Sequence, residues 1–145
     1  LYAVSCTGSA SKRASQAMRL RNLLPRLRLN NPKGQQFEDL ALHFLDQQGL
    51  ILIAKNFRCR SGEIDLIMRD AHYLVFVEVR YRASRSHGGA AASITRSKQR
   101  KLWLTAQTFL LQQGLNESNQ ACRFDVVAFD GSDACQWYKN AIQGT

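Results

Sequence analysis

The sequence predicts a single α/β domain whose elements run α-β-β-β-α-β, and three observations predict it. Apolar residues recur at helical spacing over residues 37–45 and again over 102–110. Three strand-like runs form a meander between those helices, and an alternating run at 122–129 follows the second one. At 145 residues the chain is long enough for one hydrophobic core and too short for two domains of ordinary size.

The first helix is marked by Phe37, Leu40, Ala41, Phe44 and Leu45, whose spacing keeps them on one stripe, and Gly49 ends it. Residues 50–57 (LILIAKNF) read as a short apolar strand, followed by a turn at Cys59-Arg60-Ser61-Gly62. Residues 63–68 and 73–81 then predict a hairpin about Arg69-Asp70-Ala71-His72, with both strands near the centre of the sheet. Residues 83–93 (ASRSHGGAAAS) are small and contain a Gly88-Gly89 pair, so a pliable loop is expected. Ser93 or Thr95 suits the cap of the second helix, with Leu102, Trp103, Ala106, Phe109, Leu110 and Gln113 along or beside its inner stripe. Residues 122–129 (CRFDVVAF) alternate as a further strand, 136–138 suit a weak additional element, and 140–145 close the chain.

Hydrophobic residues make up 45% and charged residues 21%, an ordinary balance for a folded globular protein and not for a disordered or fibrous one. No apolar run approaches the roughly 18–20 residues that a bilayer span needs, and no apolar signal segment opens the chain. No membrane partner is expected. Cys6, Cys59, Cys122 and Cys135 stand singly, outside any CxxC or Cys/His grouping, which fits reduced thiols in a cytoplasmic protein.

Lys and Arg number 20 against 11 Asp and Glu, a net charge of +9 that favours an anionic partner. The excess is unevenly placed. Residues 1–34 carry seven basic side chains and no acidic one, leaving 13 basic against 11 acidic residues in 35–145. We therefore divide the chain into a basic, flexible arm (1–34), a domain (35–142) and a short tail (143–145). The arm is suited to clamping nucleic acid. Its composition also superficially matches a transit peptide, an unstructured extension, or sequence upstream of a start near Met18.

The hairpin raises the question of function, because Glu63, Asp65 and Glu78 are set into otherwise apolar strands. Strand alternation puts Glu63 and Asp65 on one face and Ile64, Leu66 and Met68 on the other. By the same rule Glu78, Arg80 and Arg82 share a face with Phe76, opposite Val75, Val77 and Val79. In a suitable register Asp65 and Glu78 become cross-strand or diagonal neighbours. Two carboxylates that close repel unless a cation, proton or guanidinium compensates, and oxygen donors of this kind suit Mg²⁺ or Mn²⁺. Glu38 borders the buried stripe of the first helix, where it can look onto the sheet. The plainer alternative is a solvated strand face whose acids pair with Arg80 or Arg82. Arg96, Lys98, Arg100 and Lys101 (RSKQRK) open the second helix, where cations and free helix amides suit phosphate, or form a solvated helix end. His43, His72 and His87 show no ligand spacing.

Residues 34–41 (GQQFEDLA), Gly62-Glu63-Ile64-Asp65-Leu66-Ile67, residues 75–82 (VFVEVRYR), the Lys98 region and Arg123-Phe124-Asp125 together resemble the bacterial YraN family over residues 34–142. That family is similar to the PD-(D/E)xK nuclease superfamily, including archaeal Holliday-junction resolvases and tRNA-endonuclease-like domains. The resemblance implies a restriction-endonuclease-like core, a mixed central sheet flanked by helices. It further implies Asp65 and Glu78 as ligands of Mg²⁺ or Mn²⁺, Glu38 as a supporting acid and Arg80 at the usual lysine position. Arg82, Arg96, Lys98, Arg100 and Lys101 would bind nucleic acid.

The implied activity is metal-dependent, structure-selective hydrolysis of phosphodiester bonds, with DNA as the partner and a homodimer for symmetric junctions. Arginine is always protonated and cannot act as a base, although it clamps phosphate well. A nucleic-acid-binding protein that keeps the fold without catalysis is therefore the second reading. A scaffold whose acids only pair with arginines is the third. Arg123 and Asp125 read as architectural.

Overall fold

The computed structural model describes residues 2–5, 33–82, 94–131 and 134–143. Its elements are β1 (Tyr2–Ser5), α1 (Lys33–Gln47), β2 (Ile51–Cys59), β3 (Gly62–Asp70), β4 (Tyr73–Arg82), α2 (Arg96–Gln112), β5 (Cys122–Asp130) and β6 (Cys135–Ile142). They form one six-stranded sheet in the order β1-β6-β5-β4-β3-β2. The β4–β5 pair is parallel and every other pair antiparallel. A parallel pair needs a crossover, and α2 lies in that connection. The class is α/β, and the architecture is consistent with the restriction-endonuclease-like core that the resemblance implies.

Each helix covers one face of the sheet. Leu40, Ala41, Phe44 and Leu45 of α1 pack on Leu66, Met68, Val75, Val77, Val127 and Phe129. On the opposite face Leu102, Ala106, Phe109 and Leu110 of α2 pack on Ile67, Leu74, Phe76, Phe124 and Val126. Burial on both faces explains why β4 and β5 read as nearly continuous apolar runs.

Both helices stop by the same device. Gly49, at φ +93°, lets its own amide donate to Asp46 O (2.9 Å) and the Leu50 amide donate to Leu45 O (3.1 Å). Gly114, at φ +70°, repeats the pattern with Leu111 O (3.1 Å) and Leu110 O (2.8 Å). These are Schellman closures, in which a left-handed glycine satisfies carbonyls that the helix leaves open. Thr95 is the cap of α2, its hydroxyl accepting from the Lys98 amide at 3.2 Å.

The differences from the sequence reading concern strands. The weak element at 136–138 is the eight-residue strand β6, and Tyr2–Ser5, inside the basic segment, pairs with it. Strand 6 alternates poorly because Trp137 is anchored by a polar contact described below and Asn140 adopts φ +51°. Residues 6–32 and the loop expected at 83–93 lie outside the described residues. Of the cysteines, Cys59, Cys122 and Cys135 are free thiols, and Cys6 lies outside the described residues. No helix among the described residues is long and apolar enough to cross a membrane.

Candidate functional site

The β3–β4 ladder runs from Asp70 opposite Tyr73 to Leu66 opposite Val77, and there the regular pairing ends. One residue further, the same register sets Asp65 opposite Glu78. Instead of continuing the ladder, the Asp65 carboxylate itself accepts from the Val79 amide, Oδ2 to N 2.8 Å. Across β2, Lys55 faces Leu66 and Phe57 faces Ile64, so Asp65 stands beside Asn56, a residue in left-handed conformation at φ +50°. This break corrects the predicted alternation. Ile64 packs with Ile67 on the α2 side, whereas Leu66 and Met68 pack on the α1 side. The departure of β3 from β4 at Asp65 turns the strand and moves Ile64 across.

Glu78 lies on the α2 face with Phe76 and is only 4% exposed. Its Oε1 is 3.3 Å from Lys98 Nζ and 3.7 Å from Arg80 Nη1. Its Oε2 is buried with no hydrogen-bond partner. Burial pushes the Glu78 carboxyl above its ordinary value, against the pull of Lys98 and Arg80. Asp65 is pushed from 3.8 up to about 7, by burial first and by the Glu78 charge second, with the Val79 amide opposing. The two acids therefore sit in a place that disfavours their joint ionisation.

Glu38, on α1, faces the same end of the sheet. With Gln35, Asn56, Arg58 and Glu63 it lines an open groove of about 500 Å³. The Asn56 amide, turned to donate, reaches Glu38 Oε2 at 3.0 Å and Glu63 Oε1 at 3.2 Å. Arg58 Nη2 donates to the same Glu63 oxygen at 3.1 Å. Burial raises the Glu38 carboxyl, the Asn56 hydrogen bond works against that, and the Glu63 charge adds to it.

The structure thus brings Asp65, Glu78, Arg80 and Lys98 together, with Glu38 at the margin. Arg82 lies on the Glu78 face at the end of β4, where its carbonyl accepts from Gly131 N at 2.8 Å. Arg96, Arg100 and Lys101 are exposed on α2 and form no ion pair among the described residues. Arg96 and Lys98, in the first turn of the helix, oppose its dipole, each by a few tenths of a kcal/mol to about 1 kcal/mol. Helix stability does not account for them.

Asn56 was not singled out by sequence, and Glu63 stood out among the strand acids without being given a role. The signal for Asn56 was an asparagine inside an apolar run, a residue that tolerates the left-handed region. Lys98 was assigned to nucleic acid, and its contact with Glu78 is visible only in three dimensions. Arg123 and Asp125 are architectural: the wholly buried Asp125 accepts from Arg123 Nε (3.0 Å), Trp137 Nε1 (3.0 Å) and the Asn140 amide (2.9 Å). Arg123 also reaches Asp70 at 2.7 Å.

The model of the uncharacterised protein family UPF0102 matches residues 37–129, from within α1 to the last residues of β5. The chain belongs to the UPF0102 family. A UPF0102 protein of Aeromonas hydrophila is 58% identical over 110 residues, covering 76% of this chain and 84% of the relative. A UPF0102 protein of a Janthinobacterium species is 52% identical over 110 residues, 76% and 86% of the two chains. The YraN protein of Salmonella arizonae is 52% identical over 109 residues, 75% and 82% of the two chains. The match to UPF0102 includes Glu38, Asp65, Glu78, Arg80 and Lys98 of the candidate site, and Arg123 and Asp125, whose partners Trp137 and Asn140 lie beyond it.

Proposed function

We propose that the protein is a metal-dependent, structure-selective endonuclease that hydrolyses phosphodiester bonds of nucleic acid, DNA foremost, in the cytoplasm. The observation that carries this reading is the Asp65–Glu78 pair. Lys98 and Arg80 face one oxygen of Glu78, its other buried oxygen keeps no hydrogen-bond partner, and the carboxyl of Asp65 beside it is held up to about 7, an arrangement that a further cation would relieve.

These donors fit a divalent cation. Asp65 and Glu78 are the two residues that would hold it; among the described residues no group of three or more His, Cys, Asp or Glu is placed to bind a metal. Mg²⁺ suits such a site, since it commonly takes one or two carboxylates and completes its shell with water and substrate phosphate. Bound there, the ion would supply Lewis acidity toward a phosphate oxygen.

The protein's own cations do the remaining work. Lys98 approaches Glu78 from α2 and offers the compact ammonium group that Arg80, at the usual lysine position, does not. Arg80 is placed to stabilise charge on the phosphate as it develops. Arg82, Arg96, Arg100 and Lys101 supply phosphate contacts on either side. A homodimer belongs to this reading where the substrate is a symmetric junction, which takes two sites.

One observation favours the second reading, binding without cleavage: the guanidinium of Arg80 stands on the residue from which a base would act. The test is cleavage of labelled branched, duplex and single-stranded DNA and RNA with Mg²⁺ or Mn²⁺, alongside Asp65→Asn and Glu78→Gln. Cleavage that both substitutions abolish is the expected result. Salt-sensitive binding without cleavage selects the second reading, and absence of both refutes the two together.

A further inference from the structure

Tyr81 is 45% exposed, and one face of its ring is covered. Its ring stacks on Phe37 with centroids 4.2 Å apart and planes 15° from parallel. Phe37 is braced in turn on the fully buried Phe129, 5.0 Å away and tilted by 50°. Among the described residues Phe37 is the one ring in contact with Tyr81. The pair therefore forms a ledge, with one aromatic anchored to the core and the other presenting surface to solvent.

The ledge adjoins the site on both of its strands of chain. Tyr81 follows Arg80, and Phe37 precedes Glu38. Alternation along β4 sends Glu78, Arg80 and Arg82 to the α2 face, while Tyr81 goes with Val79 to the α1 face, where Phe37 and Glu38 lie. A strand of nucleic acid crossing this end of β4 meets cations on one side and an aromatic surface on the other.

We propose that Phe37 and Tyr81 form a stacking platform for an unpaired nucleobase beside the scissile phosphate. The substrate class is then nucleic acid with an unpaired nucleotide at the cleavage point, such as a flap, bulge or single-stranded tail, and not continuous duplex. The inference rests on the nuclease reading above and deepens it. In the interior of a duplex both faces of each base are already stacked, so away from duplex ends only an unpaired base can use the ledge. Stacking is indifferent to base identity because every base has a π face. The supporting ring pays the cost of ordering the tyrosine before the ligand arrives.

The test uses the full chain with Ca²⁺ in place of Mg²⁺ and two oligonucleotide duplexes, one blunt and one with a single-stranded tail whose first unpaired base is 2-aminopurine. The expected results are quenching of the 2-aminopurine and tighter binding of the tailed duplex. Tyr81→Ala should abolish quenching and weaken the tailed complex by roughly tenfold, changing the blunt one by less than about twofold. Tyr81→Phe keeps the ring and should behave as the unaltered protein. Tyr81→Leu keeps an apolar cover over Phe37 and should behave as Tyr81→Ala. Equal affinity for both duplexes, or a tailed complex that Tyr81→Ala and Tyr81→Leu leave unchanged, overturns the platform while the nuclease reading stands. No binding of either duplex overturns both.

Discussion

Asp65→Asn should stabilise the metal-free protein at alkaline pH, in a way that disappears in acid. The Asp65 carboxyl is raised from 3.8 to about 7 in the folded protein. An acid whose folded value lies above its unfolded value binds more protons folded than unfolded. Its contribution to stability is therefore fully present below about pH 4 and is lost as pH rises to about 7. Each tenfold change in acidity corresponds to about 1.4 kcal/mol, so the full loss is on the order of 4 kcal/mol. Part of that is burial and part is Glu78, and relaxation of the site reduces it further. Asparagine carries no charge and its amide oxygen can still accept from the Val79 amide. The gain expected for Asp65→Asn at pH 8 is about 1–3 kcal/mol, falling to near zero at pH 4. Urea unfolding of both proteins in chelator from pH 4 to 8 measures it. Millimolar Mg²⁺ should then stabilise the unaltered protein at pH 8 and leave Asp65→Asn unmoved. A substitution that destabilises at pH 8, or a difference between the two proteins that is the same at every pH, would refute the argument that Asp65 is held against its charge.

Four further substitutions test the same structure. Lys98→Ala should lower cleavage by about a hundredfold or more while leaving the unfolding midpoint close to that of the unaltered protein, because the lysine is part-exposed and its partner can take up a proton; Arg80→Lys, assayed beside it, should retain activity. Asp125→Ala strands Arg123, Trp137 Nε1 and the Asn140 amide without their acceptor and should cost about 3–5 kcal/mol in urea unfolding. Gly49→Ala meets no atom within 4 Å, so its cost is that of the left-handed backbone, about 1–2 kcal/mol, read as a lowered midpoint with an unchanged slope.

The amino-acid sequence by itself determined what depends on near neighbours along the chain. The stripe from Phe37 to Leu45 set α1, because a 3.6-residue repeat brings those side chains to one side whatever they later meet. Gly49 marked its end because a left-handed closure suits glycine. The alternation around Glu78 was legible for the same local reason, and the acid at position 38 was identifiable from its place at the edge of a buried stripe.

What only the tertiary structure decided are the relations between distant segments. Strand alternation assumes a regular ladder, and the ladder fails at Asp65, where a carboxylate replaces a backbone carbonyl as acceptor for Val79. Ile64 moves to the other face as a consequence. Strand 6 looked weak because Trp137 and the Asn140 amide are tied to the wholly buried Asp125 through polar contacts that no hydrophobic repeat encodes. The contact between Lys98 and Glu78 joins residues twenty positions apart through a parallel crossover, and Phe37 meets Tyr81 across the sheet and helix layers. Local periodicity tells which side of an element a residue occupies. It carries no term for which residue of another element stands opposite, and that is fixed by packing the two helices onto the two faces of one sheet.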